Sequence, residues 1–396
     1  MRLQALDGWR GIACLLVAIH HLQVPHALYD QSWLRNGAPM LELFFLISGF
    51  VVSLVFADMA QTRRGAAAFI LRVLGRLWPI HIVMLAALVV LGLGRSVFAQ
   101  HGGFGEQMTV ETLAAQVLLI QTLVGAGLSW NYPAWTLSAE LVAYCLFAAL
   151  MLATRTHAGR LIGASALALV AGAVFLSELG PRDDYNVISV ARVVTGFFIG
   201  FLLRELWRGA QLRSSWLATP LEITAVFAVI WAMSARLDGA AYLLNYAIFG
   251  FTVLVFASDR GLISRLMMCG PMQWLGKVSF SVYMVHGVVT LYLAEAFWAA
   301  ERFWGPGFTL WRASPGTGRE QLFFSLGAGL ADDILLVLYV ILVLASAALV
   351  YRFVEEPTRA AAASLSKRIW RGGPHPGPAG AAPDARPGRT IGKALT

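Results

Sequence analysis

Long apolar runs separated by short polar loops dominate the chain as far as about residue 357. Ten of these runs are long enough for a helix to cross a lipid bilayer, which takes at least about 17 residues. An eleventh run, at 111–128, is interrupted by Gln116, Gln121 and two glycines. The pattern predicts an all-α polytopic membrane helix bundle of about ten transmembrane helices, plus one re-entrant or interfacial segment. The ten predicted spans are 8–26, 39–57, 76–94, 134–153, 160–178, 187–204, 215–236, 239–257, 275–298 and 327–353.

The positive charges of the loops predict the orientation of these helices, because Lys and Arg collect on the cytoplasmic side of a membrane. If 111–128 does not span, most loop arginines fall on one side, and if it spans, the asymmetry is lost in the second half of the chain. The charges therefore favour ten spans with both termini in the cytoplasm. The less basic side then holds Arg35, Arg95, Arg182, Arg236, Arg302, Arg312 and Arg319, and the more basic side includes Arg213.

The composition agrees with a membrane setting, since 58% of residues are hydrophobic and only 13% are charged. The net charge of +8 does not indicate a nucleic-acid partner, because the basic residues are spread among loops between apolar runs. The membrane domain is predicted at 1–357. The remaining segment, 358–396, is basic and rich in Pro and Gly, so we expect a disordered cytoplasmic tail that is either solvated or in contact with anionic lipid.

Ionisable residues lie within the first apolar run. Arg10 and His21 are separated by ten residues, which places them about 16 Å apart along a helix. Intramembrane ionisable side chains are costly and are candidates for a functional site. Arg10 is alternatively an interfacial anchor, and His21 a histidine satisfied inside the bundle. His20 faces about 100° away from His21, so we expect only one of the two to point into a given cavity.

Further polar residues interrupt the second and fourth predicted spans. Glu140 lies at a predicted depth similar to that of His21, and a carboxylate beside a histidine orients the imidazole and raises its basicity. The sequence alone leaves open whether the two helices meet. Ser48 and Gly49 either allow close helix packing or form a gap for a thin ligand, with a hydroxyl to bind it.

An arginine pair precedes the third predicted span. The i, i+4 spacing of Arg72 and Arg76 puts both on one helical face. Guanidinium groups suit phosphate recognition, although both residues are alternatively anchors at the cytoplasmic surface.

The ninth predicted span carries a polar stripe, Ser279–His286. A zinc site built from His20, His21, His81 and His286 is one alternative for these histidines. The chain lacks the short ligand spacing typical of zinc sites, so no metal is expected.

Taken in order, these motifs resemble the acyltransferase 3 family, integral membrane enzymes that acylate, and mostly O-acetylate, extracytoplasmic glycans. The resemblance runs from Leu6 to Pro357. The spacing of Arg72 and Arg76 departs from the family, in which two residues rather than three often separate the two arginines. Arg63 or Arg64 is therefore an alternative donor-binding residue. The adjacent histidines His20 and His21 are also unusual for the family. The blocks that carry the resemblance are Arg10/His21, Phe44–Gly49, Trp135–Glu140, Ser279–His286 and the closing Glu356-Pro357.

The resemblance implies a cytoplasmic acyl-CoA donor, most often acetyl-CoA, and an acceptor hydroxyl on the opposite side. His21 would act as the general base with Glu140 orienting it, or would itself carry the acyl group. The site residues implied are Arg10, Arg72, Arg76 and Ser48 for donor binding, His21 and Glu140 for catalysis, and Asp7, Trp135, Tyr283 and His286 as substrate-binding or supporting residues.

The implied partners are acyl-CoA, membrane lipids and an extracytoplasmic glycan or lipid-linked sugar. Some relatives append an SGNH-type esterase domain, which this sequence does not show, so transfer is either direct or completed by a separate periplasmic transferase. We expect location in the bacterial cytoplasmic (inner) membrane. A transporter or flippase of a glycan intermediate or small solute would use similar intramembrane polar residues, and a non-catalytic partner in glycan assembly is a third alternative.

Overall fold

The computed structural model of the protein describes residues 3–98, 107–177, 187–209, 215–313, 320–327 and 329–371. It confirms the predicted all-α architecture, to which one antiparallel hairpin is added, formed by β1 (Thr309–Ala313) and β2 (Glu320–Phe324). The helices are α1 (Gln4–His20), α2 (Ser32–Arg35), α3 (Met40–Phe56), α4 (Arg63–Phe98), α5 (Val110–Val117), α6 (Trp135–Ala153), α7 (His157–Ser177), α8 (Val187–Gly209), α9 (Ser215–Ala235), α10 (Leu243–Phe256), α11 (Leu262–Met267), α12 (Gly270–Trp304), α13 (Leu330–Val350) and α14 (Glu356–Arg371).

Each of the ten predicted spans overlaps one of the longer helices. Seven helical stretches of the described chain are long and apolar enough to cross a membrane, and α3 is a shorter apolar helix. Backbone N–H and C=O groups must be satisfied internally in lipid, and helices do this within a single segment. The protein is therefore an integral membrane protein, while the exact count of ten spans stays a prediction.

The segment at 111–128 does not form a spanning helix. After the eight residues of α5 the chain turns repeatedly until α6 begins. The two glutamines that interrupt the apolar run hold these turns: Gln116 donates to the carbonyl of Ser129 at 2.6 Å and Gln121 to that of Ala134 at 2.9 Å. Irregular backbone at membrane depth is tolerated where protein buries it, which agrees with the predicted re-entrant or interfacial segment.

Contacts between helix ends sort them onto two faces of the bundle. On the inner face, defined by the N-terminus of α1, α11 and α14, the backbone N–H of Ala5 donates to Asp259 at 2.8 Å. On the outer face, Asn36 donates to the carbonyl of Met233 at 2.8 Å. Which of these faces is cytoplasmic stays a prediction from the loop charges. Arg182, Arg213 and Arg319 lie outside the described residues.

The first part of the predicted tail is helical, which corrects the expectation of disorder from residue 358. Residues 358–371 belong to α14, which packs along α4, and Arg72 donates to Ser366 at 2.9 Å. This stretch has four consecutive alanines and no Gly or Pro, so it has a high helix propensity. The Pro and Gly residues are concentrated in 372–396, and the prediction for those residues lies outside the described chain.

Helices α3 and α8 approach so closely that only glycine fits at their crossing. A Cβ atom on Gly49 would lie 1.8 Å from the carbonyl oxygen of Phe197, and one on Gly200 would lie 2.1 Å from that of Leu46. Gly49 therefore serves close packing, the structural alternative for the Ser48-Gly49 pair. Ser48 faces a cavity on the other side of α3.

Candidate active site

A basic groove opens on the inner face between α3, α4 and α14. It has a volume of about 700 Å³, and its cationic lining comes from Arg72, Arg76, Arg359 and Lys367. The first two were predicted as donor-binding residues. The two on α14 were missed, because their segment was assigned to a disordered tail. The signal that would have found them is the absence of Gly and Pro between 358 and 371.

The deep end of this inner groove continues into a central cavity of about 100 Å³, with which it shares Val52, Arg76, Leu77 and Tyr144. Helices α1, α3, α4, α6 and α12 each contribute a polar side chain to its wall. Five predicted site residues therefore meet around one cavity, although they come from distant parts of the sequence. They are Arg10, Ser48, Arg76, Glu140 and Tyr283.

Glu140 belongs to this central cavity and does not contact His21. Arg76 and Arg10 are the charged groups that act most strongly on its carboxylate. The predicted pairing of Glu140 with His21 is therefore wrong. Glu140 was predicted at the depth of His21, but it lines the central cavity together with Arg10, which lies towards the opposite end of α1 from His21.

His21 lies at the outer end of α1 and is oriented by its own helix. Its Nδ1 lies 2.8 Å from the carbonyl oxygen of Val17. Because a carbonyl only accepts, Nδ1 carries the hydrogen and Nε2 keeps its lone pair. The ring centroids of Tyr132 and His286 lie 4.9 Å and 5.2 Å from that of His21. This arrangement leaves His21 with one basic nitrogen, the state that a general base needs.

An outer cavity of about 520 Å³ begins at His21. His20 lines it as well, which corrects the expectation that only one of the two histidines would do so. The Nδ1 atom of His20 bonds the carbonyl of Arg35. Arginines 35, 192 and 236 also line the outer cavity, together with Tyr29, Tyr242 and Gln321.

Two aromatic residues of α12 lie between the central cavity and His21. The hydroxyl of Tyr283, which lines the central cavity, donates to the carbonyl of Pro133 at 2.9 Å. Its ring centroid lies 5.5 Å from that of His286, which in turn lies 5.2 Å from that of His21. The i, i+3 spacing puts both residues on one face of α12. Tyr283 and His286 thus connect the central cavity to His21.

Besides His286, two predicted site residues lie outside the lining of these cavities. Asp7 forms an ion pair with Arg10 at 3.9 Å near the inner end of α1. Trp135 is buried, with the guanidinium of Arg192 at 5.7 Å from its ring centroid.

The four histidines considered for zinc do not form one group. His81 lies apart from the other three, with its Nε2 at 2.9 Å from the carbonyl of Gln116. Within the described ranges, no cluster of three or more His, Cys, Asp or Glu side chains is placed to hold a metal ion.

Comparison with known proteins gives one match. A family model described as an acyltransferase domain matches residues 3–352 of this chain. No curated protein and no solved structure matches it. The matched range includes the whole lining of the central and outer cavities, whereas Arg359 and Lys367 of the inner groove lie beyond it.

Proposed function

Because the chain belongs to the acyltransferase 3 family and is an integral membrane acyltransferase, we propose that it moves an acetyl group from cytoplasmic acetyl-CoA to a hydroxyl of an extracytoplasmic carbohydrate. One observation carries this proposal. The central cavity, which the inner groove joins, reaches Arg10 on α1, and the outer cavity reaches His21 at the other end of the same helix. A single helix thus links a cationic pocket to a candidate base.

The inner groove has the charge and shape for the donor. Arg72, Arg76, Arg359 and Lys367 supply guanidinium and ammonium groups for the phosphates of CoA, close to water at the mouth of the groove. The uncharged thioester arm would extend into the central cavity, where Ser48 offers a hydroxyl.

Transfer in this proposal is general-base catalysis by His21. Its Nε2 removes the proton of the acceptor hydroxyl while the oxygen attacks the thioester carbonyl. A C–O ester bond forms, the C–S bond breaks, and the imidazolium returns the proton to the CoA thiolate. A relay through an acyl-histidine is the alternative. In either version the thioester must pass Tyr283 and His286, which lie between the central cavity and His21.

The proposed location is the bacterial cytoplasmic membrane, with both termini and the inner groove on the cytoplasmic side. The concentration of loop arginines on the inner face supports this orientation. The acceptor is a glycan or lipid-linked sugar on the outer side, reached directly or through a separate periplasmic transferase.

The test uses purified protein in liposomes with labelled acetyl-CoA and a glycan extract of the host envelope as acceptor. The wild type should release free CoA and transfer the label to the glycan. His21→Gln should lose about 10²- to 10⁴-fold in rate and retain CoA binding, because His21 does not line the inner groove. His81→Gln, a buried histidine outside the cavities, is the matched control.

Other outcomes identify the alternatives. Movement of solute without release of free CoA would indicate a transporter. Full transfer by His21→Gln would overturn the proposal. An acetyl adduct trapped on His21 would replace the general-base version with the acyl-histidine relay.

A further inference from the structure

Two buried side chains with hydrogen-bond donors lie next to the candidate base. The ring centroids of Tyr132 and His286 lie 4.9 Å and 5.2 Å from that of His21, and 5.9 Å from each other. The three rings therefore form one cluster, which Tyr283 joins to the central cavity. The proposed general-base step uses His21 alone and leaves the phenol of Tyr132 and the imidazole of His286 without a role.

The polar atoms of these two side chains are buried and unbonded. His286 is fully buried, and neither of its ring nitrogens has a hydrogen-bond partner in the described chain. The carbonyls of Val282 and Tyr283 act on the imidazole from its own helix, but without hydrogen-bond geometry. Within the described ranges the buried hydroxyl of Tyr132 has no partner either, and its polar neighbour Thr290 donates instead to the carbonyl of His286 at 2.8 Å. A buried donor without an acceptor costs about 1–3 kcal/mol, which a ligand oxygen would recover.

Other phenols around the cluster already use their hydrogens. The hydroxyl of Tyr283 donates to the carbonyl of Pro133 at 2.9 Å. The hydroxyl of Tyr339 donates to the carbonyl of Ala18 at 3.1 Å. Tyr132 thus differs from both neighbouring tyrosines in having a hydrogen to offer to a ligand.

The turn before α6 fixes the position of Tyr132 against α12. The side-chain amide of Asn131 donates to the carbonyl of Met284 at 3.3 Å. A Cβ atom on Gly287 would lie 2.7 Å from the side chain of Pro133, so the turn and the helix are in direct contact. Donors that are held in place before a substrate arrives need no reorganisation during the reaction.

We propose that Tyr132 and His286 form an oxyanion hole, in which the phenol O–H and the imidazole N–H donate to the carbonyl oxygen of the thioester while His21 acts on the acceptor hydroxyl. The inference rests on the proposed function, which supplies the thioester and the base. A neutral imidazole carries the one N–H that this role needs. The thioester passes His286 on its way to His21, which brings its carbonyl beside both donors.

The two donors act while negative charge is on the carbonyl oxygen. As the acceptor oxygen bonds to the carbonyl carbon, the π electron pair of the C=O group moves onto its oxygen. When the C–S bond breaks, this pair forms the C=O group of the ester, and sulfur leaves with the C–S electron pair. The hydrogen bonds are strongest between these two events, so they accelerate transfer without tightening the binding of the donor.

Replacing Tyr132 by Phe removes only the proposed donor atom. In the liposome assay Tyr132→Phe should lower kcat about 10²- to 10³-fold and leave the KM for acetyl-CoA unchanged. Its unfolding temperature should not fall, because this hydroxyl has no partner to lose among the described residues. The matched control is Tyr292→Phe on α12, which removes a hydroxyl bonded to the carbonyl of Ala87 at 2.7 Å and should keep the full rate.

Two variants of His286 distinguish a hydrogen-bond donor from a proton carrier. His286→Gln keeps an N–H group, whereas His286→Met fills a similar volume without a donor. We expect His286→Met to lose about 10²-fold or more in kcat and His286→Gln to stay within about tenfold of the wild type. Equal large losses would indicate that His286 carries a proton, because an amide cannot do so, and would overturn its place in the oxyanion hole.

An unreactive ketone analogue of acetyl-CoA, in which a CH₂ group replaces the sulfur, provides a readout that needs no turnover. Its ¹³C-labelled carbonyl should absorb at a lower infrared frequency in the wild type than in Tyr132→Phe, because donors weaken the C=O bond. Equal frequencies, or a full transfer rate in Tyr132→Phe, would overturn the proposal.

His21→Gln, measured alongside, separates this result from the proposed function. Loss of transfer in His21→Gln together with a full rate in Tyr132→Phe would refute the oxyanion hole and leave the proposed function standing. Full transfer by His21→Gln would count against the proposed function. CoA titration reports correct folding, since Tyr132 and His286 do not line the inner groove and their variants should bind CoA as the wild type does.

Discussion

A histidine can act as a general base when one ring nitrogen donates a hydrogen bond and the other keeps its lone pair free to accept a proton. His21 meets this condition through its own helix, because its Nδ1 bonds the Val17 carbonyl at 2.8 Å. No carboxylate is needed for this orientation. Glu140 instead shares the central cavity with Arg10 and Arg76. At the scale of single residues, the orientation of His21 in the proposed reaction therefore does not depend on Glu140, whose charge acts in the central cavity.

Glu140→Gln should therefore affect donor binding and leave the titration of His21 unchanged. Removing the carboxylate makes the central cavity more positive, so CoA, an anion, should bind several-fold more tightly, with a gain of about 1 kcal/mol for one partly screened charge. The midpoint of the pH–rate profile of acetyl transfer should not move. CoA titration and the pH–rate profile measure the two effects.

The control for this prediction is Glu295→Gln. Its carboxylate lies 3.5 Å from Arg95 and away from the cavities, so neither quantity should change. A shifted pH midpoint in Glu140→Gln would indicate a direct effect of Glu140 on His21 and would contradict the arrangement described.

Sequence motifs predicted most of the central cavity but not the relation between its parts. Arg10, Ser48 and Tyr283 were recognisable because ionisable and hydroxyl groups are costly in apolar helices. The position of Glu140 relative to His21 depends on how α6 is placed in the bundle, and neither hydropathy nor spacing measures that placement.

At the scale of elements, α14 closes one side of the inner groove with two cations. The double variant Arg359→Gln/Lys367→Gln should raise the KM for acetyl-CoA about tenfold and leave kcat nearly unchanged, because both side chains line the groove far from His21. The dependence of KM on salt should also become weaker. Steady-state kinetics at two ionic strengths measure both effects.

Arg371→Gln is the matched control on α14, because this exposed arginine lies at the end of the helix, outside the groove lining. An unchanged KM in the double variant would indicate that α14 supports α4 mechanically, through the contact of Arg72 with Ser366, without binding CoA.

The contact of α3 with α8 positions Ser48 in the central cavity. Gly49→Ala should destabilise the protein by about 1–3 kcal/mol, the usual cost of overpacking, because its Cβ would overlap the Phe197 carbonyl. A lower unfolding temperature in detergent measures this cost. Gly94→Ala is the control, since open space surrounds that position and alanine favours a helix interior. Equal unfolding temperatures for both variants would contradict the close approach.

The elements themselves were largely predictable, for a physical reason. A chain in lipid must satisfy its backbone hydrogen bonds within each segment, so apolar length translates directly into helices. The two elements that hydropathy describes poorly are the turns after α5 and the helix α14. The first depends on side-chain bonds from Gln116 and Gln121 across 13 residues. The second depends on local helix propensity in a segment with little apolar content.

At the scale of the whole molecule, the proposed reaction requires that each cavity open to a different compartment. Helices α1 and α12 run together from the inner to the outer face, and a Cβ on Gly11 would lie only 2.8 Å from the backbone of Gly276. This packing fixes α1, which carries Arg10 and His21, against α12. In the proposed reaction, the donor and the acceptor would therefore reach the protein from opposite sides.

Single cysteines placed in the two cavities test this arrangement. Ser364 lines the inner groove and Gln321 the outer cavity, and each is changed to Cys after Cys145 and Cys269 are replaced by Ser. A membrane-impermeant maleimide should label Gln321→Cys in intact spheroplasts and Ser364→Cys only after lysis. CoA should protect Ser364→Cys from labelling in lysed membranes and leave Gln321→Cys reactive. Labelling of Ser364→Cys in intact spheroplasts would place the cationic groove outside the cell and rule out a cytoplasmic donor.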